Sequence, residues 1–131
     1  MSKLDKEHLK NVIRELKKSK ILVSLFIDPD FRQIEAASQV EADYIEIHTG
    51  RYAQAEGFAQ DDELQSVRLA AQYAHSLNLR VNAGHGLKYH NVRSISKISL
   101  IEELNIGHSI VSKAVFVGMK SAVAEMKSLI Q

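Results

Sequence analysis

The apolar residues of this chain recur with two periodicities, one typical of helices and one typical of strands, and the two alternate along the sequence. The first segment is predicted to be a helix, because its apolar residues recur at helical spacing among lysines and glutamates: Leu4, Leu9, Val12, Ile13 and Leu16. The run ILVSLFIDPD at 21–30 is nearly continuous in apolar residues and stops at Asp28-Pro29. Such a run is typical of a strand that is covered on both faces, as in a parallel sheet.

The same alternation continues to the end of the sequence. It predicts a helix over 31–40, a strand over 43–50, a helix over 61–78, a strand over 79–86, a short helix over 91–98, a strand over 104–109 and a closing helix over 109–130. One helix followed by four strand–helix units favours βαβ crossovers and a parallel sheet in an α/β fold. Four units are half of an eight-stranded (β/α) barrel, which needs about 250 residues. We therefore expect a single domain over residues 1–131.

Composition narrows the class of protein. The absence of cysteine excludes disulfides and thiolate metal sites, and a formal net charge of +1 gives no sign of a nucleic-acid partner or an acidic membrane surface. The first ten residues, MSKLDKEHLK, lack the apolar stretch of a signal peptide, and no apolar run approaches the ~18 residues of a membrane span. We therefore expect a cytoplasmic protein without nucleic-acid or membrane partners.

Polar side chains collect where the predicted strands end. Three of the six histidines lie at those ends, namely His48, His85 and His108, whereas His8 and His75 fall on predicted helices. The carboxyl ends of the strands carry the active site in (β/α) barrels. This distribution therefore favours a functional site, and because the loops lack closely spaced histidine or glutamate pairs, it does not favour a metal site.

Glu46 occupies an unusual position, between Ile45 and Ile47 within an apolar strand and on the same side as His48. A carboxylate that points into a barrel is costly to desolvate unless a charge or a hydrogen bond compensates it. Such a group suits proton transfer or the stabilisation of a cationic centre. The alternative is that Glu46 pairs locally with His48 and has only a structural part.

Two glycine-flanked histidines follow the last two predicted strands. His85 lies between Gly84 and Gly86, so its imidazole is accessible and suits a general acid or base. Gly107-His108 closes a strand and opens a helix, where backbone N–H groups and the helix dipole attract anions. Together the two loops predict a phosphate cradle. Alternatively, Gly107 only eases a tight turn and Ser109 caps the helix.

Five segments carry a resemblance to a known family: VSLFIDPD, YIEIHTGRYA, RVNAGHGLKYHNV, ELNIGHSIV and AVFVGMKSAVAEMK. In collinear order over about residues 10–130, they resemble the second half of the pyridoxine 5'-phosphate synthase family, and the motifs NAGHGLxYHN and ELNIGH are long and specific. The resemblance implies the last four βα units of a TIM barrel. It also implies a transferase that condenses 1-deoxy-D-xylulose 5-phosphate with 3-amino-1-hydroxyacetone 1-phosphate, with no metal or organic cofactor.

The resemblance also implies residue roles. His85 corresponds to the proton donor and Glu46 to the buried group that stabilises the transition state. Gly86, Gly107 and His108 correspond to contacts with the phosphorylated aminoacetone substrate. The family's first four βα units, which carry a further catalytic histidine and glutamate, are absent here. We therefore expect this chain to be inactive alone.

An open half-barrel is expected to expose two strand edges and an apolar inner face. We expect these surfaces to be covered by a complementing N-terminal half or by a second copy in a homo-oligomer. The rival hypothesis is a non-catalytic module that binds phosphate or drives oligomerisation while keeping the fold of the last four units.

Overall fold

The computed structural model describes residues 3–130, with side chains from Asp5 onward. The prediction that Leu4 is an apolar position of the first helix therefore concerns a side chain outside the described residues. Its elements are α1 (Lys3–Lys18), β1 (Ser24–Ile27), α2 (Phe31–Gln39), β2 (Tyr44–His48), α3 (Gly50–Gln54), α4 (Phe58–Ser76), β3 (Arg80–Gly84), α5 (Val92–Ser96), β4 (Ile101–Asn105), α6 (His108–Val117) and α7 (Met119–Leu129). The four strands are all parallel and lie in the order β1-β2-β3-β4. This arrangement confirms the predicted α/β half-barrel.

One face of the sheet forms the core of the protein. Alternate residues of the two central strands are buried on this face: Ile45, Ile47, Val81 and Ala83. The helix α4 contributes three fully buried alanines to the same cluster: Ala70, Ala71 and Ala74. Because alanine has a short side chain, the helix can lie close to the sheet, and each isoleucine buried beneath it contributes about 1.5–3 kcal/mol to stability.

The opposite face of the sheet is polar, so the expectation of an apolar inner face is wrong. Successive side chains of a strand point to opposite faces, and paired residues of neighbouring strands share a face. The paired residues on the inner face form three rows: Ser24, Tyr44 and Arg80; Phe26, Glu46, Asn82 and Glu103; and His48, Gly84 and Asn105. Phe26 is the large apolar side chain of these rows, and it is 55% exposed. The open side of this half-barrel therefore presents polar groups.

The first strand is also less covered than predicted. The run at 21–30 contributes only four residues to β1, and Leu22 and Phe26 within it are exposed. Both of these residues are open because β1 is an edge strand and its inner face has no neighbour. The expectation of a strand covered on both faces is therefore wrong for this run.

The predicted boundaries differ from the structure at the end of the chain. The closing helix divides into α6 and α7 at Gly118, whose φ of +82° is a conformation that other residues rarely adopt. The short helix α3 was not predicted. The last strand begins at Ile101, three residues before the predicted start at Leu104.

The first part of β4 contains a bulge. Val81 pairs with Ile101 and Asn82 pairs with Glu103, so Glu102 is an extra residue in the strand. Its carboxylate accepts hydrogen bonds from Arg80, whose guanidinium lies 4.4 Å from the centre of the Tyr44 ring. The Arg80 guanidinium lowers the pKa of Glu102 from its usual value. The bulge thus directs a carboxylate to a cation on the neighbouring strand.

The helix α1 is attached chiefly through Glu41, which precedes β2. Ile13 is the buried side chain of α1, whereas Val12 and Leu16 are exposed. Around Glu41, the carboxylate accepts from Arg14 at 2.9 Å and pairs with Lys10 at 3.0 Å, and its backbone carbonyl accepts from Lys17 at 2.9 Å. Hydrogen bonds from Arg14 and Lys10 lower the pKa of Glu41 to about 2.

Replacing Glu41 with glutamine should therefore produce a pH-dependent loss of stability. Because the folded pKa is lowered from 4.5 to about 2, the stabilisation is complete above pH 4.5 and is lost as the pH falls toward 2. We expect a modestly lower urea midpoint for Glu41→Gln at pH 7, and equal midpoints for the two proteins below about pH 2. Urea titrations followed by circular dichroism measure both.

The matched control is Glu15→Gln, which removes an exposed carboxylate whose partner, Lys18, lies on the same helix. It should leave the midpoint unchanged, because such exposed pairs contribute little. A difference between wild type and Glu41→Gln that persists undiminished at pH 2 would contradict the assignment of the effect to the Glu41 charge.

Candidate active site

An open cleft of about 850 Å³ lies at the carboxyl ends of β3 and β4. Its lining includes all five residues that the sequence singled out: Glu46, His85, Gly86, Gly107 and His108. These residues come from three different strand ends and are brought together because the parallel strands all end at the same edge of the sheet. The structure thus assembles the predicted residues in one place.

Glu46 is fixed in the wall of the cleft. Its Oε2 accepts a hydrogen bond of 2.7 Å from Nδ2 of Asn105, on the far side of β3. Its Oε1 lies over Gly84, where a Cβ atom would come within 2.3 Å of it. The partner of Glu46 is therefore Asn105, and the alternative of a local pair with His48 is not what the structure shows.

Asn82 lies next to Glu46 in the same row and is buried. Its Oδ1 has no hydrogen-bond partner within the described part of the chain. A buried acceptor without a donor costs about 1–3 kcal/mol, so this amide adds an unsatisfied polar group beside the carboxylate. The inner face of the sheet thus carries polar groups on two adjacent strands beside the cleft.

His85 adopts a backbone conformation that is uncommon for a side chain of its kind. Its φ is +80°, a conformation that costs about 1–2 kcal/mol outside glycine. Thr49 holds this turn, because its fully buried hydroxyl shares its proton between the carbonyls of Gly84 at 2.8 Å and His85 at 2.7 Å. The turn leaves the imidazole exposed at the mouth of the cleft.

The two glycine loops are linked to each other. Ser109 donates a hydrogen bond of 2.8 Å to the carbonyl of Leu87, so it joins the loops and does not cap the helix as the alternative proposed. Within the first loop, Gly86 has a φ of +75°, and a Cβ there would lie 2.7 Å from that of Ala53. The buried Asn91 closes the loop by accepting from the backbone of Lys88 at 2.7 Å.

The start of α6 is open toward the cleft. Gly107 is the N-cap residue, and as a glycine it places no capping side chain on the first N–H groups of the helix. Its φ is −115°, and apart from its chain neighbours no atom of the described residues lies within 4 Å of the place where its Cβ would be. Neither backbone conformation nor packing therefore requires glycine here, which leaves access to the helix N-terminus as the physical advantage of the residue.

Within residues 3–130, no group of three or more histidine, aspartate or glutamate side chains is arranged to hold a metal ion. Over the same range, no helix is long and apolar enough to cross a membrane. The polar lining of the cleft consists of imidazoles, one carboxylate, one amide, lysine side chains and hydroxyl groups.

Two residues that shape the site, Asn105 and Thr49, stand out in the sequence only as polar residues at the ends of predicted strands. Asn105 holds Glu46 from 59 positions away, and Thr49 holds the turn at His85 from 36 positions away. The contacts depend on the register of the strands, which places His48 opposite Gly84 and Gly84 opposite Asn105. Polar side chains at the ends of neighbouring strands were the available signal for both.

One family model and several curated relatives match this chain over most of its length. The family model for the pyridoxal phosphate biosynthesis protein PdxJ matches residues 2–131. A pyridoxine 5'-phosphate synthase of Sulfurihydrogenibium sp. (strain YO3AOP1) is 54% identical over 124 residues, which are 95% of this chain and 51% of the relative. The pyridoxine 5'-phosphate synthase of Synechococcus sp. (strain JA-2-3B'a(2-13)) is 56% identical over 91% of this chain and 50% of the relative. That of Geobacter sp. (strain M21) is 48% identical over 98% of this chain and 54% of the relative. The chain thus spans about half the length of the curated relatives it matches.

Proposed function

This chain belongs to the family of the pyridoxal phosphate biosynthesis protein PdxJ, and we propose that it is the carboxyl-terminal half of a pyridoxine 5'-phosphate synthase. The observation that carries the proposal is the single cleft that Glu46, His85, Gly86, Gly107 and His108 share. A site with accessible imidazoles, an anchored carboxylate and an open helix N-terminus fits a condensation between phosphorylated small molecules.

The proposed reaction joins 1-deoxy-D-xylulose 5-phosphate to 3-amino-1-hydroxyacetone 1-phosphate. The products are pyridoxine 5'-phosphate, inorganic phosphate and water, and the proposal needs no metal or organic cofactor. Loss of water requires a proton on the departing hydroxyl, which is the part we assign to His85. Its imidazole is exposed at the mouth of the cleft, where a general acid would meet the substrate.

Glu46 is assigned to charge stabilisation. Its carboxylate is held by Asn105 and by its position over Gly84, so it needs no rearrangement when positive charge develops on an amine or imine of the substrate. A fixed charge that faces a developing opposite charge lowers the barrier, because no solvent has to reorganise during the reaction.

Gly86, Gly107 and His108 are assigned to the phosphate of the aminoacetone substrate. The uncapped N–H groups at the start of α6 can donate to phosphate oxygens, and the helix dipole favours negative charge at this end. Ser109 joins this helix to the loop that carries Gly86, so the two sides of the cradle are held at a fixed separation.

The proposed partner is the remaining half of the barrel, supplied by a complementing N-terminal chain or by a second copy of this one. This chain carries one assigned proton donor, whereas a condensation with several proton transfers needs further acids and bases. The rival proposal, a phosphate-binding module without turnover, is favoured by one observation: the three residues that we assign to phosphate, Gly86, Gly107 and His108, all line one cleft of this chain.

The test is product formation from the two substrates. We will call the mixture of this chain with the separately expressed amino-terminal half of the Sulfurihydrogenibium relative the reconstituted synthase. We expect turnover by the mixture and none by either half alone. Phosphate binding without turnover in the mixture would support the rival module, and turnover by this chain alone would contradict the need for the missing half.

A further inference from the structure

We propose that His48 is a positioning residue for His85: held by Asp28, its imidazole fixes the ring of the assigned proton donor at the mouth of the cleft. The inference rests on the proposed function for the catalytic part of His85. The geometry that supports it, however, belongs to this chain alone.

Three rings meet at the ends of β1, β2 and β3. The imidazole of His48 lies 4.6 Å from that of His85 between ring centroids, with the two planes inclined by 48°. Phe26 contacts His48 edge-on at 5.0 Å and lies 6.4 Å from the ring of His85. His48 is therefore the central ring of the group and the closest ring contact of His85 among them.

Gly50 shows how tightly the two imidazoles are packed. A Cβ on Gly50 would lie 2.8 Å from Cε1 of His48, 2.9 Å from its Nε2 and 3.2 Å from Cδ2 of His85. Both rings thus rest against the backbone at the start of α3. With only 27% of its side chain exposed, His48 is enclosed and has little freedom to turn.

Asp28 sets the orientation of His48. Its Oδ1 lies 3.4 Å from Nδ1 of His48, so a proton on Nδ1 faces a carboxylate, and Nε2 is directed to the side of Gly50 and His85. Asp28 is itself held, since its backbone N–H donates to Oε1 of Gln33 at 3.2 Å and its Oδ2 accepts from Nε2 of Gln33 at 3.4 Å. The chain of contacts runs from α2 through Asp28 and His48 to His85.

This chain of contacts complements what Thr49 does. Thr49 fixes the backbone of His85 through its carbonyl, but the two side-chain torsions of an exposed histidine remain free. The ring of His48 restricts those torsions. A proton donor whose ring is already oriented loses less entropy when the substrate reaches its reactive geometry.

The first measurement uses this chain by itself and needs no turnover. In wild type we expect one side-chain rotamer for His85, seen as Hα–Hβ couplings that are each clearly large or clearly small and not intermediate. We also expect nuclear Overhauser effects between the rings of His48 and His85. His48→Ala and Asp28→Ala should average the couplings, whereas Asp28→Asn, which keeps an acceptor for Nδ1, should retain them. His75→Ala, on the exposed face of α4, is the matched control.

The second measurement uses the reconstituted synthase. Asp28→Ala should lower kcat by about 10- to 100-fold with KM little changed, because misorientation of a catalytic group affects the chemical step more than binding. Asp28→Asn should recover most of that loss. Asp28 is exposed, so its variants fold even if His48→Ala does not.

Unchanged His85 couplings in both alanine variants would overturn the proposal, as would an equal loss of kcat in Asp28→Asn and Asp28→Ala. If the wild-type mixture has no turnover, the proposed function fails, and the couplings alone then decide whether His48 orients His85.

Discussion

Replacement of His85 by asparagine is expected to lower kcat of the reconstituted synthase by about 10²- to 10⁴-fold, the usual contribution of a positioned acid or base. Asparagine cannot give or take a proton near neutral pH, but it tolerates the φ of +80° that this position requires. The variant therefore removes the chemistry and leaves the turn intact. Steady-state kinetics of the mixture and a urea titration of the variant chain measure the two effects.

His75→Asn provides the control for this prediction, since it removes an imidazole from the exposed surface of α4 and should leave kcat unchanged. The urea midpoint of His85→Asn should equal that of wild type or exceed it slightly. Retention of wild-type kcat by His85→Asn would show that His85 is not the proton donor, whatever the stability of the variant.

Gly84 and Gly107 should differ in how much a single added methyl group costs the stability of the protein. In Gly84→Ala the new Cβ would lie 2.3 Å from Oε1 of Glu46 and 2.9 Å from the carbonyl oxygen of Asn105. Because a backbone atom is one of the two obstacles, the strand itself must shift. We expect a loss of about 1–3 kcal/mol in the free energy of unfolding, together with loss of turnover.

Gly107→Ala is the matched variant at the other loop. With no atom of the described residues within 4 Å of the added Cβ, apart from its chain neighbours, and a φ of −115°, it should change the free energy of unfolding by less than about 0.5 kcal/mol. Its methyl group would, however, narrow the approach of an anion to the start of α6. We therefore expect weaker binding of inorganic phosphate, measured by chemical-shift titration of the backbone amides, in a variant as stable as wild type.

Unequal stability of these two variants is the discriminating result. Equal destabilisation by the two substitutions would contradict the contrast in packing between Gly84 and Gly107. Undiminished phosphate binding by Gly107→Ala would contradict the place assigned to the anion, even if the stability were as expected.

The architecture followed from the sequence because its signals are local. Alternating residues such as Ile45 and Ile47, set against helices with apolar residues at helical spacing, determine the element types and the parallel sheet. The same alternation also placed Glu46 and His48 on one side of β2. The expectation of an apolar inner face disagreed with this placement of two polar side chains. The polar rows of the sheet show that the placement was right and the expectation of an apolar face was wrong.

The features that the sequence did not predict depend on contacts between distant residues. The hydrogen bond from Asn105 to Glu46 requires the register of three strands, and the carboxylate of Glu102 meets Arg80 only because of the bulge in β4. The break at Gly118 is a different case, since a glycine within an apolar helical pattern was visible, and its φ of +82° ends α6 and precedes α7. Local patterns predict elements, whereas register and bulges decide which side chains meet.

The polarity of the inner face bears on how such a protein can change over evolutionary time. The apolar face of the sheet is already covered by helices of the same chain, and the inner face of the sheet consists largely of polar groups that water can solvate. A gene for a (β/α) barrel could thus be cut near its middle, or joined from two shorter genes, without leaving the hydrocarbon core of this half uncovered. Selection can then act on the association of the halves separately from the folding of each one.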